Sequence, residues 1–203
     1  MDEAKWRDAV SSAMPETAEA LRRLVGIPSI AFPGYDEAPL AEARAACVEI
    51  FAAAGVDLRE LALAPGHPPA LLGEIPAPDG APTVALYAHY DVQPVGDESA
   101  WHTDPFEPEV RDGRLYGRGA ADDKSGVVAH AAALRLLRDC LGVGIKVLLE
   151  GEEETGHSDL ERMVAERPEL FAADAIVVCD MGNRVLGEPT LTTSLRGMVD
   201  CVV

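Results

Sequence analysis

Polar side chains capable of metal binding or proton transfer follow three apolar runs of the sequence, close to the point where each run ends. They are His89, Asp91, Glu153, Glu154 and Asp180. One histidine with several carboxylates and no thiolate is a hard to borderline ligand set, which suits Zn²⁺ or Mn²⁺, and also Co²⁺, better than copper or an iron–sulfur cluster. The residue types therefore favour a site for a divalent metal ion.

A glycine-containing loop at residues 116–126, YGRGAADDKSG, adds the carboxylate of Asp122 to this set. Two metal ions lie close together only where an anionic group is shared between them, and a carboxylate on a rigid loop can be that group. We therefore expect Asp122 to bridge two metals. The loop superficially resembles a dinucleotide-binding fingerprint, but an Asp stands where the third Gly or Ala belongs, so that interpretation is weak.

The adjacent carboxylates Glu153 and Glu154 can divide two tasks that amide hydrolysis requires. A bound metal lowers the pKa of water toward roughly 7 and polarises a substrate carbonyl. A carboxylate that is not a ligand must then take the proton from that water and pass it to the leaving amine. One residue of the pair would serve as this base and the other as a metal ligand.

Each of these features also has a purely structural interpretation. A lone histidine at the end of a strand is more often hydrogen-bonded within the fold than bound to a metal, and an acidic run is more often a solvated surface. The joint occurrence of such residues at successive strand ends favours the functional interpretation.

The elements that must position these residues alternate between helices and strands. Apolar periodicity predicts helices at residues 3–25, 40–54, 127–141 and 158–166. Strands are predicted at 70–75, 83–88, 145–149 and 175–179, the last three of them buried, with a hairpin at 110–116 that turns at Asp112 and Gly113. Pro15 either opens a new helix or kinks a longer one, and Ser158 would be an N-cap with Glu161 at the capping-box position. Such alternation indicates an α/β sheet, in which ligands bind outside the carboxyl ends of the strands.

The composition argues against several classes of function. With 17 basic and 35 acidic residues, the net charge of −18 repels an extended polyanion such as DNA or RNA. The 203 residues suffice for one sizeable domain. No apolar run approaches the length of a membrane span and the N-terminus has no signal-peptide pattern, so we expect a cytoplasmic protein with neither a membrane nor a nucleic-acid partner.

The cysteines are widely separated and include no CxxC pair. They are Cys47, Cys140, Cys179 and Cys201. This spacing argues against a disulfide framework and against a thiolate zinc site. We expect the four side chains to be small core residues.

Four segments of the sequence together resemble the M20 family of dinuclear zinc peptidases. They are HYDVQP at 89–94, GRGAADDK at 117–124, EGEEETG at 150–156, and Asp180 after the apolar VVC. They occur in the order and spacing of the family and cover nearly the whole chain. The resemblance implies a three-layer α/β sandwich with a central, mostly parallel sheet flanked by helices. It also implies two zinc ions in a complete site, with Mn²⁺ or Co²⁺ as alternatives.

The resemblance also implies which residues bind these metals. His89 and Asp180 match ligands of one metal, Glu154 matches a ligand of the other, and Asp122 matches the bridge. The family pattern further implies a cis peptide bond between Asp122 and Asp123.

Two other carboxylates match positions of the family that do not bind metal. Glu153 matches the general base, and Asp91 matches the carboxylate that orients the site behind the histidine ligand. His102 and His157 match no ligand position, and we expect them to be structural or close to the substrate.

Details of the motifs resemble the dipeptidase branch of a family that also includes carboxypeptidases, a desuccinylase and aminoacylase. Asp180 in place of Glu, Asp123 after the bridge, and the HYDVQP segment favour hydrolysis of dipeptides or short peptides. In this interpretation a metal-activated bridging water attacks the peptide bond, with Glu153 as general base. The alternatives are a deacylase or carboxypeptidase of the same family, or a non-catalytic metal-binding or interaction fragment.

Members of the family are longer than this chain and carry an inserted lid or dimerisation domain, followed by a return that supplies the last histidine ligand. We therefore predict that residues 1–194 form the N-terminal part of the catalytic domain and that 195–203 begin the strand leading into the lid domain. The resemblance implies that the intact protein is a homodimer through that lid. It also implies very weak or no activity for this chain alone.

Overall fold

A mixed sheet of five strands forms the centre of the fold. The computed structural model describes residues 3–156, 159–185, 187–195 and 197. Within these residues the strands stand side by side in the order β1 (Arg59–Leu61), β2 (Ala70–Ile75), β6 (Gly144–Glu150), β3 (Thr83–His89) and β7 (Ala175–Val178). A separate hairpin joins β4 (Glu109–Arg111) to β5 (Arg114–Tyr116).

Most strands of the sheet run in one direction. Strand β3 pairs in parallel with both β6 and β7, whereas β2 pairs antiparallel with both β1 and β6. Four of the five strands are therefore parallel to one another, and β2 runs against them. In the register of β3 with β6, His89 lies opposite Glu150. The carboxyl ends of β3 and β6, which both carry polar residues, thus lie side by side.

Helices cover both faces of this sheet. They are α1 (Glu3–Val25), α2 (Ala38–Ala53), α3 (Lys124–Leu137), α4 (Leu160–Glu166) and α5 (Pro168–Phe171). Single 3₁₀ turns lie at Glu98–Ala100, Arg138–Cys140 and Glu153–Thr155. None of the described helices combines the length and the apolar character needed to cross a membrane.

Strand β6 shows how the sequence builds three layers. Ile145, Val147 and Leu149 belong to the larger core, which residues of α1, α2 and α3 complete. Leu148 belongs to a second, smaller core, against which side chains of α4 and α5 pack. Because successive side chains of a strand point to opposite faces, a near-continuous apolar run can bury both of them. The predicted layering of helix, sheet and helix is confirmed.

Most predicted elements are present with bounds close to those expected. Helix α1 and strand β2 have the predicted bounds, and Pro15 lies inside α1 without ending it. The hairpin turns at Asp112 and Gly113, whose φ angles of 49° and 74° are those of a tight hairpin turn. Apolar patterning does not predict the short elements β1 and α5.

The prediction that the strand after residue 174 is buried is wrong. All four residues of β7 are exposed. An apolar run predicts burial on both faces only for a strand inside a covered sheet. Strand β7 lies at the edge, with β3 as its one neighbour among the described strands.

Other local expectations differ from the structure as well. Helix α4 begins at Leu160 after Asp159, so Glu161 is not at the capping-box position, and the predicted N-cap Ser158 lies outside the described residues. Leu195 lies in no strand, and residues 196 and 198–203 are outside the described part of the chain.

The expectation that the cysteines are core residues holds for one of them. Cys47 is buried in the larger core, whereas Cys140 is exposed and Cys179 is half-buried. Cys201 lies outside the described residues. The three described cysteines are free thiols.

Gly151, directly after β6, leaves room for the buried ring of Tyr90. A Cβ atom at position 151 would lie 2.5 Å from Tyr90 Cζ and 3.0 Å from Pro68 Cβ. Tyr90 Oη donates a 2.6 Å hydrogen bond to the Pro69 carbonyl, so the ring is held in place. We expect Gly151→Ala to lower the free energy of unfolding by about 1–3 kcal/mol in urea denaturation, because the methyl group overpacks this space. Gly142→Ala, where a Cβ meets nothing within 4 Å, is the control, and equal stability of the two variants would contradict the prediction.

Candidate metal centre

Four segments of the chain converge at the carboxyl edge of the sheet. His89 ends β3, and Asp180 follows β7. Glu150 ends β6, and Glu152, Glu153 and Glu154 follow it after Gly151. The loop before α3 brings Asp122 Oδ1 to 3.0 Å from His89 Nε2. Sheet register therefore assembles the residues that the sequence places at strand ends, where ligands of α/β sheets bind.

His89 is fully buried, and each of its ring nitrogens has distinct neighbours. Nδ1 lies 3.1 Å from the backbone oxygen of Asp91 and 3.3 Å from its carboxylate. Nε2 lies 3.0 Å from Asp122 Oδ1, 3.8 Å from Asp180 Oδ2 and 3.9 Å from Glu153 Oε2. Donation from Nδ1 to Asp91 leaves Nε2 as the nitrogen that can bind a metal.

The Asp91 carboxylate binds the backbone of the acidic segment that follows β6. The Asp91 carboxylate is fully buried, and its Oδ1 accepts a 3.1 Å hydrogen bond from the Glu153 N–H. Its Oδ2 accepts a 3.2 Å bond from the Glu154 N–H. The same carboxylate lies against His89 Nδ1. One buried side chain thus fixes the histidine and both glutamates relative to one another.

Two overlapping sets of side chains have the spacing of a metal site. One is His89, Asp122 and Glu154, and the other is His89, Asp123 and Asp180; within each set the potential ligand atoms lie within 4.8 Å of one another. The structure therefore brings all four predicted ligands together. Asp123 joins them, although the resemblance implies no ligand role for it.

Asp123 also has two structural tasks. Its Oδ1 accepts a 3.1 Å hydrogen bond from the Gly126 N–H and so caps α3. Its Oδ2 accepts a 3.3 Å bond from the His89 N–H, which ties the loop to the end of β3. The signal for the first task is an Asp directly before an apolar helical run. The peptide bond between Asp122 and Asp123 is cis, as the resemblance implies.

The two adjacent glutamates have different surroundings. Glu154 Oε2 accepts a 2.8 Å hydrogen bond from Gln93 Nε2, which also donates to the Glu154 carbonyl at 3.1 Å. The Glu153 side chain is 39% exposed and belongs to neither candidate ligand set. Burial raises the pKa of Glu153, and the neighbouring carboxylates of Glu154 and Asp180 raise it further. A carboxylate with a raised pKa that is not a ligand is suited to accept a proton.

The local charges make a cation favourable at this edge. Burial alone lowers the pKa of His89, but the hydrogen bond to Asp91 and the charges of nearby carboxylates outweigh it and raise the pKa to about 10. Burial raises the pKa of Asp123 to about 7. Burial and the Asp122 carboxylate together raise the pKa of Asp180 to about 6. Carboxylates that hold protons near neutral pH form a site where a divalent cation is electrostatically favoured.

Two buried ionic groups beside the site leave no recognisable signal in the sequence. Glu152 is buried, and its carboxylate oxygens lie 2.8 and 3.1 Å from His67 Nδ1. Lys124 is also buried, and its Nζ donates to the backbone carbonyls of Leu24 and Ile27. Burial lowers the pKa of Lys124 to about 7. Both contacts join segments that are far apart in the chain.

The two histidines without an expected ligand role lie away from this cluster or outside the described residues. His102 is exposed in the loop after the 3₁₀ turn Glu98–Ala100 and belongs to neither candidate set. His157 lies outside the described residues, so the expectation for it stays a prediction.

Known proteins share both the sequence and the fold of this chain. Residues 85–195, more than half of the chain, match the family described as peptidase family M20/M25/M40. The chain belongs to this family. A stretch of 120 residues is 51% identical to the cysteinylglycine-S-conjugate dipeptidase of Corynebacterium striatum and covers 58% of this chain and 26% of that protein. A stretch of 135 residues is 42% identical to the beta-Ala-His dipeptidase of Mus musculus and covers 64% of this chain and 27% of that protein.

The M20 fold is also evident in a solved structure. Human carnosine dipeptidase 1 superposes with a TM-score of 0.77 at 30% sequence identity, over 85% of this chain and 40% of that chain. The predicted fold class, a sheet flanked by helices as in M20 peptidases, is confirmed. The chain spans about a quarter of the length of the two curated relatives.

Binding of a divalent metal ion, with Zn²⁺ as the probe, is expected to displace protons from this site. Near neutral pH His89 carries a proton because its pKa, about 10, lies above the pH, and Asp123 and Asp180, with pKa values of about 7 and about 6, are partly protonated. Raising the pH removes these competing protons. Zinc affinity should therefore increase between about pH 6 and about pH 8, by about tenfold per pH unit for each proton released.

Calorimetric titration in buffers of different ionisation enthalpy counts these protons. His102→Gln removes an exposed histidine outside both ligand sets, and this control should release the same number of protons as the unaltered chain. An affinity that stays constant or falls as the pH rises would contradict the prediction.

Proposed function

We propose that the protein hydrolyses the peptide bond of dipeptides or other short peptides at a centre of two divalent metal ions. One observation carries the proposal: the buried Asp91 carboxylate holds a ligand histidine and two adjacent glutamates in one arrangement. Zinc is the metal that we propose, with Mn²⁺ or Co²⁺ as alternatives.

The side chains fit such ions in chemistry and in spacing. We propose that His89 and Asp180 bind one ion, that Glu154 binds the other, and that Asp122 is shared between them. An imidazole nitrogen with carboxylate oxygens is a donor set that zinc accepts, and His89 lies within ligand spacing of Asp122 and Glu154 in one set and of Asp123 and Asp180 in the other. The choice of Asp122 as the shared ligand rests on the family resemblance. When bound, the ions would lower the pKa of a coordinated water and polarise the scissile carbonyl.

Glu153 is the proposed general base. Its carboxylate lies 3.9 Å from His89 Nε2, so it borders the ligand cluster while it stays accessible to a substrate. The hydrogen bond from its N–H to Asp91 fixes its backbone. Burial raises its pKa, which favours proton uptake from water and later transfer of that proton to the leaving amine.

Asp91 and Gln93 act through the ligands in this proposal. Asp91 faces Nδ1 of His89 and thereby leaves Nε2 for the metal. Gln93 donates to Glu154 Oε2, which orients the carboxylate of that ligand. Neither side chain needs to contact the substrate.

Dipeptides are the proposed substrates because both curated relatives described above are named as dipeptidases. A deacylase or carboxypeptidase of the same family would instead prefer N-acyl amino acids or longer peptides. The homodimer and the cytoplasmic location stay predictions, as do the assignments of residues 1–194 and 195–203. Weak or absent turnover by the 203-residue chain also stays a prediction, which an assay of that chain tests.

Glu153→Gln removes the proposed base while keeping the size of the side chain. We expect hydrolysis of Cys-Gly and β-Ala-His to fall by about 100-fold or more, because proton transfer is lost. Zinc content, measured by mass spectrometry, should stay near that of the unaltered protein because Glu153 is outside both ligand sets. Zinc content is measured on the 203-residue chain, and the hydrolysis rate on a longer product of the same coding sequence, because we expect very weak or no turnover from the 203-residue chain itself.

The control for this variant is Glu161→Gln, an exposed glutamate on α4. Its hydrolysis rate and its zinc content should both be unchanged. Loss of zinc from Glu153→Gln would mean that Glu153 is the ligand and Glu154 the base.

Asp122→Asn tests the bridging role. An amide cannot share a negative charge between two ions, so we expect this variant to lose all the zinc that the unaltered chain retains after dialysis. Asp139→Asn, an exposed residue beyond the far end of α3, should keep its zinc. If Asp122→Asn retained one ion at full occupancy, Asp122 would not be the bridge.

A further inference from the structure

Lys124 is the only fully buried lysine or arginine among the described residues. It begins α3 and directly follows the candidate ligands Asp122 and Asp123. Its side chain reaches the end of α1. Its Nζ donates hydrogen bonds of 2.8 Å to the Leu24 carbonyl and 2.6 Å to the Ile27 carbonyl.

The end of α1 is a suitable partner for this ammonium group. The last carbonyls of a helix lack partners within the helix, and the helix dipole places partial negative charge there. Leu24 lies in the last turn of α1, and Ile27 follows just beyond it. An ammonium group without such acceptors would be strongly disfavoured in a buried position. Each carbonyl also accepts a backbone N–H, from Ile27 at 3.1 Å and from Ser29 at 2.8 Å, so Lys124 is a second donor to both and they are the acceptors that its buried ammonium group needs.

The stem of Lys124 also packs against the loop that precedes it. Its backbone N–H donates to the Gly119 carbonyl at 3.1 Å. A Cβ atom at Gly119 would lie 3.1 Å from Lys124 Cδ and 2.6 Å from Val92 Cγ1. The backbone of the loop at Gly119 is therefore in close contact with the aliphatic part of Lys124 and with Val92, which follows β3. The loop is thereby held between α3 and the body of the protein.

Asp122 depends on this arrangement of the backbone. Its side chain is 60% exposed, so packing around the side chain does little to fix its position. Its location is set by the backbone of the loop, which is held by the hydrogen bond of Asp123 with the His89 N–H and by the contacts of Lys124 with the end of α1.

We propose that Lys124 is a positioning residue of the metal centre, which anchors the loop carrying Asp122 and Asp123 to the end of α1. This inference rests on the proposed metal-binding function. Lys124 belongs to neither candidate ligand set; its ammonium group acts together with the hydrogen bond of Asp123 to the His89 N–H to fix where the carboxylates of the loop stand relative to His89. Loss of such supporting contacts typically weakens metal binding by about 10–100-fold.

The test compares Lys124→Met with two matched controls. Methionine keeps the apolar stem and removes the ammonium group. The first control is Lys146→Met. Like Lys124, Lys146 donates from its Nζ to a backbone carbonyl, that of Glu169 at 2.8 Å. Lys146 lies on the opposite face of the sheet from Lys124. Phe51→Leu disturbs the buried core at α2 and serves as a control for a general loss of stability.

The zinc dissociation constant of each variant is measured by competition with a chromogenic chelator, at a temperature where circular dichroism shows the metal-free protein to be folded. We expect Lys124→Met to bind zinc about 10–100-fold more weakly, and both controls to bind it as the unaltered chain does. The absorption spectrum of bound Co²⁺ should also change in Lys124→Met alone, because it reports the arrangement of the ligands.

Each other outcome has a definite meaning. Unchanged zinc affinity in folded Lys124→Met would overturn the inference, and so would an equal loss of affinity in Phe51→Leu. If Lys124→Met does not fold, Lys124→Gln, which keeps a shorter donor, is measured in its place with the same expected direction. Failure of both variants to fold would show that Lys124 serves folding, which also overturns the inference. If the unaltered chain bound no zinc, the proposed metal centre itself would be wrong.

Discussion

The buried carboxylate of Asp91 is the constraint on which the site depends. A buried charge is strongly unfavourable unless its oxygens are hydrogen-bonded. Both oxygens of Asp91 meet this condition through the backbone N–H groups of Glu153 and Glu154. The segment after β3 and the acidic segment after β6 therefore form one unit, because separating them would remove both backbone hydrogen bonds to the buried carboxylate. The sheet therefore fixes this half of the site, to which the loop before α3 adds Asp122 and Asp123.

Sheet register makes that contact possible. Strands β3 and β6 are parallel neighbours, and His89 lies opposite Glu150. The backbone hydrogen bonds between β3 and β6 continue one residue beyond β3, since the Tyr90 N–H donates to the Glu150 carbonyl at 2.9 Å. Asp91 is the next residue and meets the backbone just after the turn at Gly151. Backbone pairing of two parallel strands thus brings the histidine and the glutamates to the same place, where His89 Nε2 lies 3.9 Å from Glu153 Oε2.

Local sequence patterns predict the elements that carry the site, but they do not predict the contacts between distant segments. The apolar runs of β3 and β6 and the polar residues that end them are local features, so His89 and the glutamates could be identified. The contacts of Lys124 with Leu24 and of His67 with Glu152 span 100 and 85 residues, and no periodicity records them. The exposure of β7 is likewise decided by its place in the sheet, which an apolar run does not reveal. Residue type and spacing did not distinguish the base from the metal ligand in the pair Glu153 and Glu154. Those individual roles were assigned from the family resemblance.

The exposed edge strand affects how the chain behaves in solution. Strand β7 has one neighbour among the described strands, and Ile176, Val177 and Val178 are exposed on it. Backbone groups at such an edge, beside apolar side chains, form a template for a strand of another molecule. The net charge of −18 opposes this pairing because like-charged chains repel one another. Salt screens that repulsion, so we expect pairing through β7 to be favoured more as the ionic strength rises.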